Sequence, residues 1–167
     1  MNMSQVVFVI LSAIALIGAV GVVANRNLFR SALFLVLSFV GVAGMYILLE
    51  AEFLAMVQLL VYVGAISILI IFAIMLSQRM MAADERVLNE QWLIGLLAAA
   101  ALFVILVIVL VQVGSSWPVS DAPVMEDSIS QLGQALVDPD HYLLVFEVAS
   151  VLLLVALVGA VIVARER

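Results

Sequence analysis

FLAMVQLLVYVGAISILIIFAIML, residues 53 to 76, runs for 24 residues without a formal charge. That length crosses a ~30 Å hydrocarbon core as a helix with some tilt. Gln58, Tyr62, Gly64 and Ser67 are grouped near its middle. A plain spanning helix has no need of them, because each polar atom in hydrocarbon requires a partner from protein or water. The stretch reads as a membrane helix whose centre has a polar role.

Four further apolar segments lie around it, giving spans at about 6–24, 31–49, 53–76, 92–113 and 142–164. Each has the roughly 19 to 24 residues that a bilayer demands. The expected fold is all-α, a single membrane domain over residues 1–167 with five transmembrane helices. The first segment is expected to remain as a span and not to act as a cleaved secretory signal, since Met1-Asn-Met-Ser-Gln5 offers no basic region ahead of it.

Composition agrees. Apolar residues make up 68% of the chain and charged residues 11%, and mean hydropathy is +1.38. A soluble chain of this size cannot hide that much apolar surface, so lipid or protein must cover it. The absence of Cys excludes a disulfide framework, a thiolate zinc site and an iron–sulfur cluster, and the lone His141 cannot build a multi-His metal centre. The net charge of −6 gives no basic footprint for nucleic acid.

Charge placement orients the chain. Arg26 and Arg30 stand in the first loop, Arg79 and Arg86 in the third, Arg165 and Arg167 at the end, and there is no Lys. The second loop, Glu50-Ala51-Glu52, and the fourth, with Asp121, Glu126, Asp127, Asp138 and Asp140, hold no base. Five alternating spans therefore put all six Arg on one side, and the positive-inside rule makes that side cytoplasmic, with the N-terminus outside. Trp117 and Tyr142 are placed at the outer headgroup level. Residues 127 to 136 predict a short amphipathic helix, with Ile129, Leu132 and Leu136 at helical spacing.

The Gln58-x-x-Val61-Tyr62-Val63-Gly64-Ala65-Ile66 core, with Phe72 and Met75 downstream, resembles the third helix of one family. This is the J-type membrane subunit of NADH:quinone oxidoreductase (respiratory complex I), the family of mitochondrial NADH dehydrogenase subunit 6. Phe146-Glu147-x-Ala149-Ser150, followed by Gly159-Ala160, is similar to that family's last helix. The resemblance implies a membrane-arm subunit of a proton-translocating translocase, coupling quinone reduction to proton movement and not catalytic alone. NADH, FMN, iron–sulfur clusters and quinone are expected elsewhere in the complex. The implied partners are the K-type, A-type, H-type and antiporter-like chains within a lipid bilayer, with no nucleic acid, in a bacterial plasma (inner) membrane crossed several times.

Five residues are candidates for the proton pathway or its coupling: Glu147, Tyr62, Gly64, Gln58 and Ser67. Glu147 is the one acid well inside a span, about 7 to 8 Å in from Tyr142 at 1.5 Å per residue. It is either a proton relay, which burial in the protonated form favours, or a structural group that reaches the interface. Gln58 and Tyr62, one turn apart, either line a hydrated path or make plain interhelical hydrogen bonds. Ser67 falls about 140° around from Tyr62 on a straight α-helix. One extra residue in the turn, a π-bulge made easy by Gly64, rotates it toward Tyr62. Gly64 and Ala65 also read as a small-residue packing notch.

Two rival functions remain open at this level. One is a structural or coupling subunit of a related membrane-bound hydrogenase or cation antiporter complex. The other is a stand-alone transporter, which the single deep charge and the lack of an inverted repeat disfavour. A reporter enzyme fused after Arg167 is expected to be active only when it requires the cytoplasm. Activity confined to the outside would overturn the orientation and the span count together.

Overall fold

The computed structural model describes residues 2–77, 92–114 and 127–165. These residues form helices and no strand. They are α1 (Met3–Ala24), α2 (Leu28–Leu48), α3 (Glu52–Ser77), α4 (Trp92–Gly114), α5 (Ser128–Val137) and α6 (Leu143–Ala164). All but α5 are long and apolar enough to span a bilayer, giving five candidate spans. Their bounds fall within a few residues of those read from hydropathy. Arg79, Arg86 and Trp117 lie outside the described residues. The helices divide into two compact units, Met1–Asp121 and Ala122–Arg167.

In the first unit α2 is the central element, packing against α1 on one side and α3 on the other. Lipid tails are as apolar as leucine, so spans associate by close packing and hydrogen bonds more than by the hydrophobic effect. Small residues supply the close packing. A Cβ on Gly18 would lie 2.6 Å from the Ser38 main-chain nitrogen, and one on Gly41 would lie 2.7 Å from that of Ala15. The helices therefore touch backbone to backbone at two reciprocal points. Ser38 adds a polar link, its Oγ donating to the Ala15 carbonyl at 3.0 Å.

The loops of this unit are short and capped. Asn25 donates its side-chain amide to the Gly21 carbonyl at 2.7 Å, closing the end of α1. Asn27 opens α2, its Oδ1 accepting from the main-chain N–H groups of Phe29 and Arg30. Leu49–Ala51 then turns α2 into α3. The Ala51 N–H donates to the Tyr46 carbonyl and that of Glu50 to Ile47, the paired bonds of a Schellman motif. Glu50 holds the left-handed position at φ 56°, where glycine is usual.

Helix α3 is three segments in one. Glu52–Val57 is α-helical, Gln58–Ile66 is a π-helix of nine residues, and Ser67–Ser77 returns to α geometry. Gln58 and Ser67 are both buried, at 7% and 2% exposure. Nine steps of 100° would leave them about 180° apart on a straight α-helix. The wider i→i+5 turn advances less per residue and brings both to the inward side.

In the second unit the amphipathic α5 packs on α6, and Leu132 and Leu136 are half-buried while Ile129 is exposed. Asp138 ties the turn between them. Its carboxylate accepts from the Asp140 N–H at 3.1 Å and meets His141 Nδ1 at 2.8 Å. The main-chain donor first, and the imidazole second, hold the Asp138 carboxyl below its ordinary value.

Gly18→Ala tests the helix contact. The added methyl meets backbone and cannot be relieved by a rotamer change, so a loss of about 1–3 kcal/mol is expected. It should appear as a lower thermal unfolding midpoint of the purified assembly. Gly159→Ala is the control within this chain, since no described residue lies within 4 Å of a Cβ built there.

Candidate functional site

Four of the five candidate residues lie in or next to one backbone irregularity. The π segment begins at Gln58, contains Tyr62 and Gly64, and ends against Ser67. A π turn leaves the main-chain pairing out of step with the α segments on either side, and in hydrocarbon each displaced carbonyl needs a donor. Ser67 supplies one. Its N–H reaches the carbonyls of Gly64 and Tyr62, and its Oγ donates to the same Tyr62 carbonyl at 2.7 Å. The polar contact that rotates Ser67 inward is thus with the main chain of Tyr62 and not with its phenol.

Tyr62 is 41% exposed, at the margin of the α2–α3 contact. Its ring meets Phe39 of α2 edge to face, centroids 5.5 Å apart and planes at 75°. That geometry sets the positive edge of one ring against the negative face of the other and holds the phenol in place. Phe39 had no signal in the sequence beyond being one more apolar residue of a span.

Gln58 is different in kind. The residue is 7% exposed, and its amide makes no hydrogen bond with another described residue. No fully buried side-chain N or O among the described residues lacks a partner, so both amide atoms still reach the surface of the chain. An amide of this sort, with two donors and an acceptor in an apolar span, is costly unless water or another chain completes it. The Tyr62 hydroxyl likewise has no partner among the described residues. The centre of α3 therefore holds two polar groups whose hydrogen bonds are left open within the described part of the chain.

Gly64 serves its own helix. A Cβ there would lie 3.3 Å from the Leu59 carbonyl oxygen, and beyond its own helical turn no other described atom comes within 4 Å. Among the described residues no neighbouring helix presses into the notch, so the close contact that a side chain would strain is internal to the π turn.

Glu147 belongs to the second unit. It is the fifth residue of α6, and its side chain is exposed in this chain. Ser150 is its local partner, but Ser150 Oγ donates to the main-chain carbonyl of Glu147 at 2.7 Å and leaves the carboxyl group uncommitted. No set of three or more His, Cys, Asp or Glu side chains among the described residues could hold a metal ion.

Residues 18–163 match the family described as NADH-ubiquinone/plastoquinone oxidoreductase chain 6. The chain belongs to that family. It is similar to NAD(P)H-quinone oxidoreductase chain 6 of Leptolyngbya boryana, 38% identical over 173 residues that cover 99% of this chain and 84% of the relative. The corresponding chain of a Synechocystis species is 40% identical, covering 95% of this chain and 79% of its own length. F(420)H(2) dehydrogenase subunit J of Methanosarcina mazei is 36% identical, covering 95% and 89%. As a chain 6 protein, this polypeptide is a membrane subunit of a multi-subunit quinone oxidoreductase.

For a chain 6 helix with this geometry, Ser67 is the residue to test first. Ser67→Ala removes the second donor to the Tyr62 carbonyl, and a loss of about 1 kcal/mol is expected. Hydrogen exchange along residues 62–67 of the purified complex should quicken, while exchange in α1 stays unchanged. Unaltered exchange at 62–67 would show that the hydroxyl is not needed to hold the π turn.

Proposed function

We propose that this chain is a membrane-arm subunit of a proton-translocating NADH:quinone oxidoreductase, and that α3 couples quinone reduction to proton movement. The observation that carries this reading is the largely buried Gln58 at the start of a π segment in mid-span, its amide at the surface of the chain and without a partner among the described residues. Such a group is kept where water or a polar residue of another chain meets it. π turns are common at functional sites, and a shift of one residue in their pairing rotates the helix beyond them. Gln58 and Tyr62 would line or contact that polar path, Gly64 would leave room for the turn, and Ser67 would hold its register. Glu147 is the titratable member of the set, a relay facing protein or a water-filled cavity in the assembled complex.

In this reading the chain binds no NADH, FMN, iron–sulfur cluster or quinone, which belong to other subunits, and it is not catalytic alone. Support comes from the relatives: similar chains carry the names of an NAD(P)H-quinone oxidoreductase and of an F(420)H(2) dehydrogenase. A chain common to complexes named for different electron donors has its task away from the donor. Its neighbours would be the K-type, A-type, H-type and antiporter-like chains. The membrane would be a bacterial plasma membrane, with the N-terminus outside and the C-terminus in the cytoplasm.

Two substitutions test the proposal in the intact complex. Glu147→Gln keeps volume and hydrogen bonding but removes titration, so protons moved per electron should fall while the other chains still co-purify. Gly64→Val places a branched Cβ against the Leu59 carbonyl, and coupled activity should fall by about tenfold, a barrier change of about 1.4 kcal/mol, with assembly retained. If pumping is untouched in Glu147→Gln, that residue is structural. Equal loss of assembly and activity in Gly64→Val assigns Gly64 to packing alone.

A further inference from the structure

One flank of the α1–α2 pair carries an open groove of about 410 Å³ lined, among the described residues, by Leu16, Ile17, Val20, Gly21 and Phe34. Gly21 makes it possible. A Cβ there would overlap the Phe34 ring, so the ring rests directly on the α1 backbone and forms one wall. Leu16, Ile17 and Val20 form the other wall and are 61% to 65% exposed.

The loop next to the groove is basic. Arg30 is four residues before Phe34 on α2, so it stands on the same face about 6 Å nearer the loop. Arg26 is in the same loop, and both side chains are exposed. No acidic side chain among the described residues pairs with either. The loop that holds them is fixed, with the Asn25 bond to Gly21 on one side and the Asn27 cap on the other. An apolar channel beside two candidate spans, with two exposed arginines on the adjoining loop that no described acid pairs, matches the two halves of one kind of molecule. Arginine is suited to phosphate because its planar fork binds two oxygens at once.

We propose that this groove is a binding site for an anionic phospholipid of the bilayer. The phosphate would sit on Arg26 and Arg30, and one acyl chain would lie along Leu16, Ile17, Val20 and Phe34. A zwitterionic lipid satisfies the channel but gains less from the loop, and another protein chain seated there would have to bring its own acids to Arg26 and Arg30.

The test uses the whole complex, extracted in mild detergent and stripped of loosely held lipid. It is offered phosphatidylglycerol or phosphatidylcholine carrying a photoreactive acyl chain, irradiated, and mapped by peptide mass. Labelling within residues 16–34 is expected from phosphatidylglycerol, suppressed by unlabelled phosphatidylglycerol but not by phosphatidylcholine. Arg30→Gln should lower that labelling about fivefold, the factor that ~1 kcal/mol per basic residue near the surface implies, and Arg30→Lys should largely retain it. Equal labelling by the two lipids overturns the proposal, as does undiminished labelling when Arg26 and Arg30 are both replaced by Gln. A groove that neither lipid labels is covered by another chain, and that result overturns it too. The competition arm uses the unaltered complex, so it decides the question even if the Arg variants fail to assemble.

Discussion

Within hydrocarbon there is no water to complete a hydrogen bond, so each backbone N–H and C=O must find its partner inside the protein. The rest of this chain is arranged around that constraint. An unbroken α-helix meets it at no cost, and four of the five spans are unbroken α-helices. α3 departs from that pattern over Gln58–Ile66 and needs compensation at the point where π geometry returns to α. Ser67 provides it from within the same helix, with two donors converging on the Tyr62 carbonyl. Ser67 is 2% exposed, so water does not compete for its hydroxyl.

The same constraint separates the two kinds of polar residue in this chain. Ser31, Ser38, Ser67 and Ser150 bond to carbonyls of the chain itself. They stitch helices together or reinforce one turn, and each is complete as it stands. Gln58, Tyr62 and Glu147 carry side-chain groups that no described residue satisfies. Where a span keeps such groups, the missing half of the bond lies outside the described residues, and a subunit of a larger assembly is a setting in which water or another polypeptide can supply it.

Burial supports this setting. The α1–α2 contact is tight to the backbone, whereas α4 and α6 hold no residue buried among the described ones. With no hydrophobic drive between spans, large apolar side chains on such helices are as content against lipid as against protein. Small residues and hydrogen bonds therefore mark where this chain packs upon itself. The long Leu, Val and Ile runs of α4 and α6 carry no comparable mark, and their neighbours are set by the assembly.

Residue type and order were enough to determine the spans. Length and hydropathy set five helices to within a few residues, because the bilayer imposes one length and one element type. The short Glu50-Ala51 turn and the amphipathic helix beginning near Asp127 were legible too, from acids between apolar runs and from Ile129, Leu132 and Leu136 at helical spacing. The polar grouping of Gln58, Tyr62, Gly64 and Ser67 located the site, since such residues are out of place in a plain span. What these residues touch was decided only by tertiary structure. A sequence cannot tell that Ser67 bonds to the Tyr62 carbonyl in place of its phenol, that Phe39 props the tyrosine ring, or that Gly64 spares its own helix and not a neighbour. Each of those depends on the angle at which one helix meets another and on a backbone pairing shifted by one residue, and neither is encoded in any single side chain.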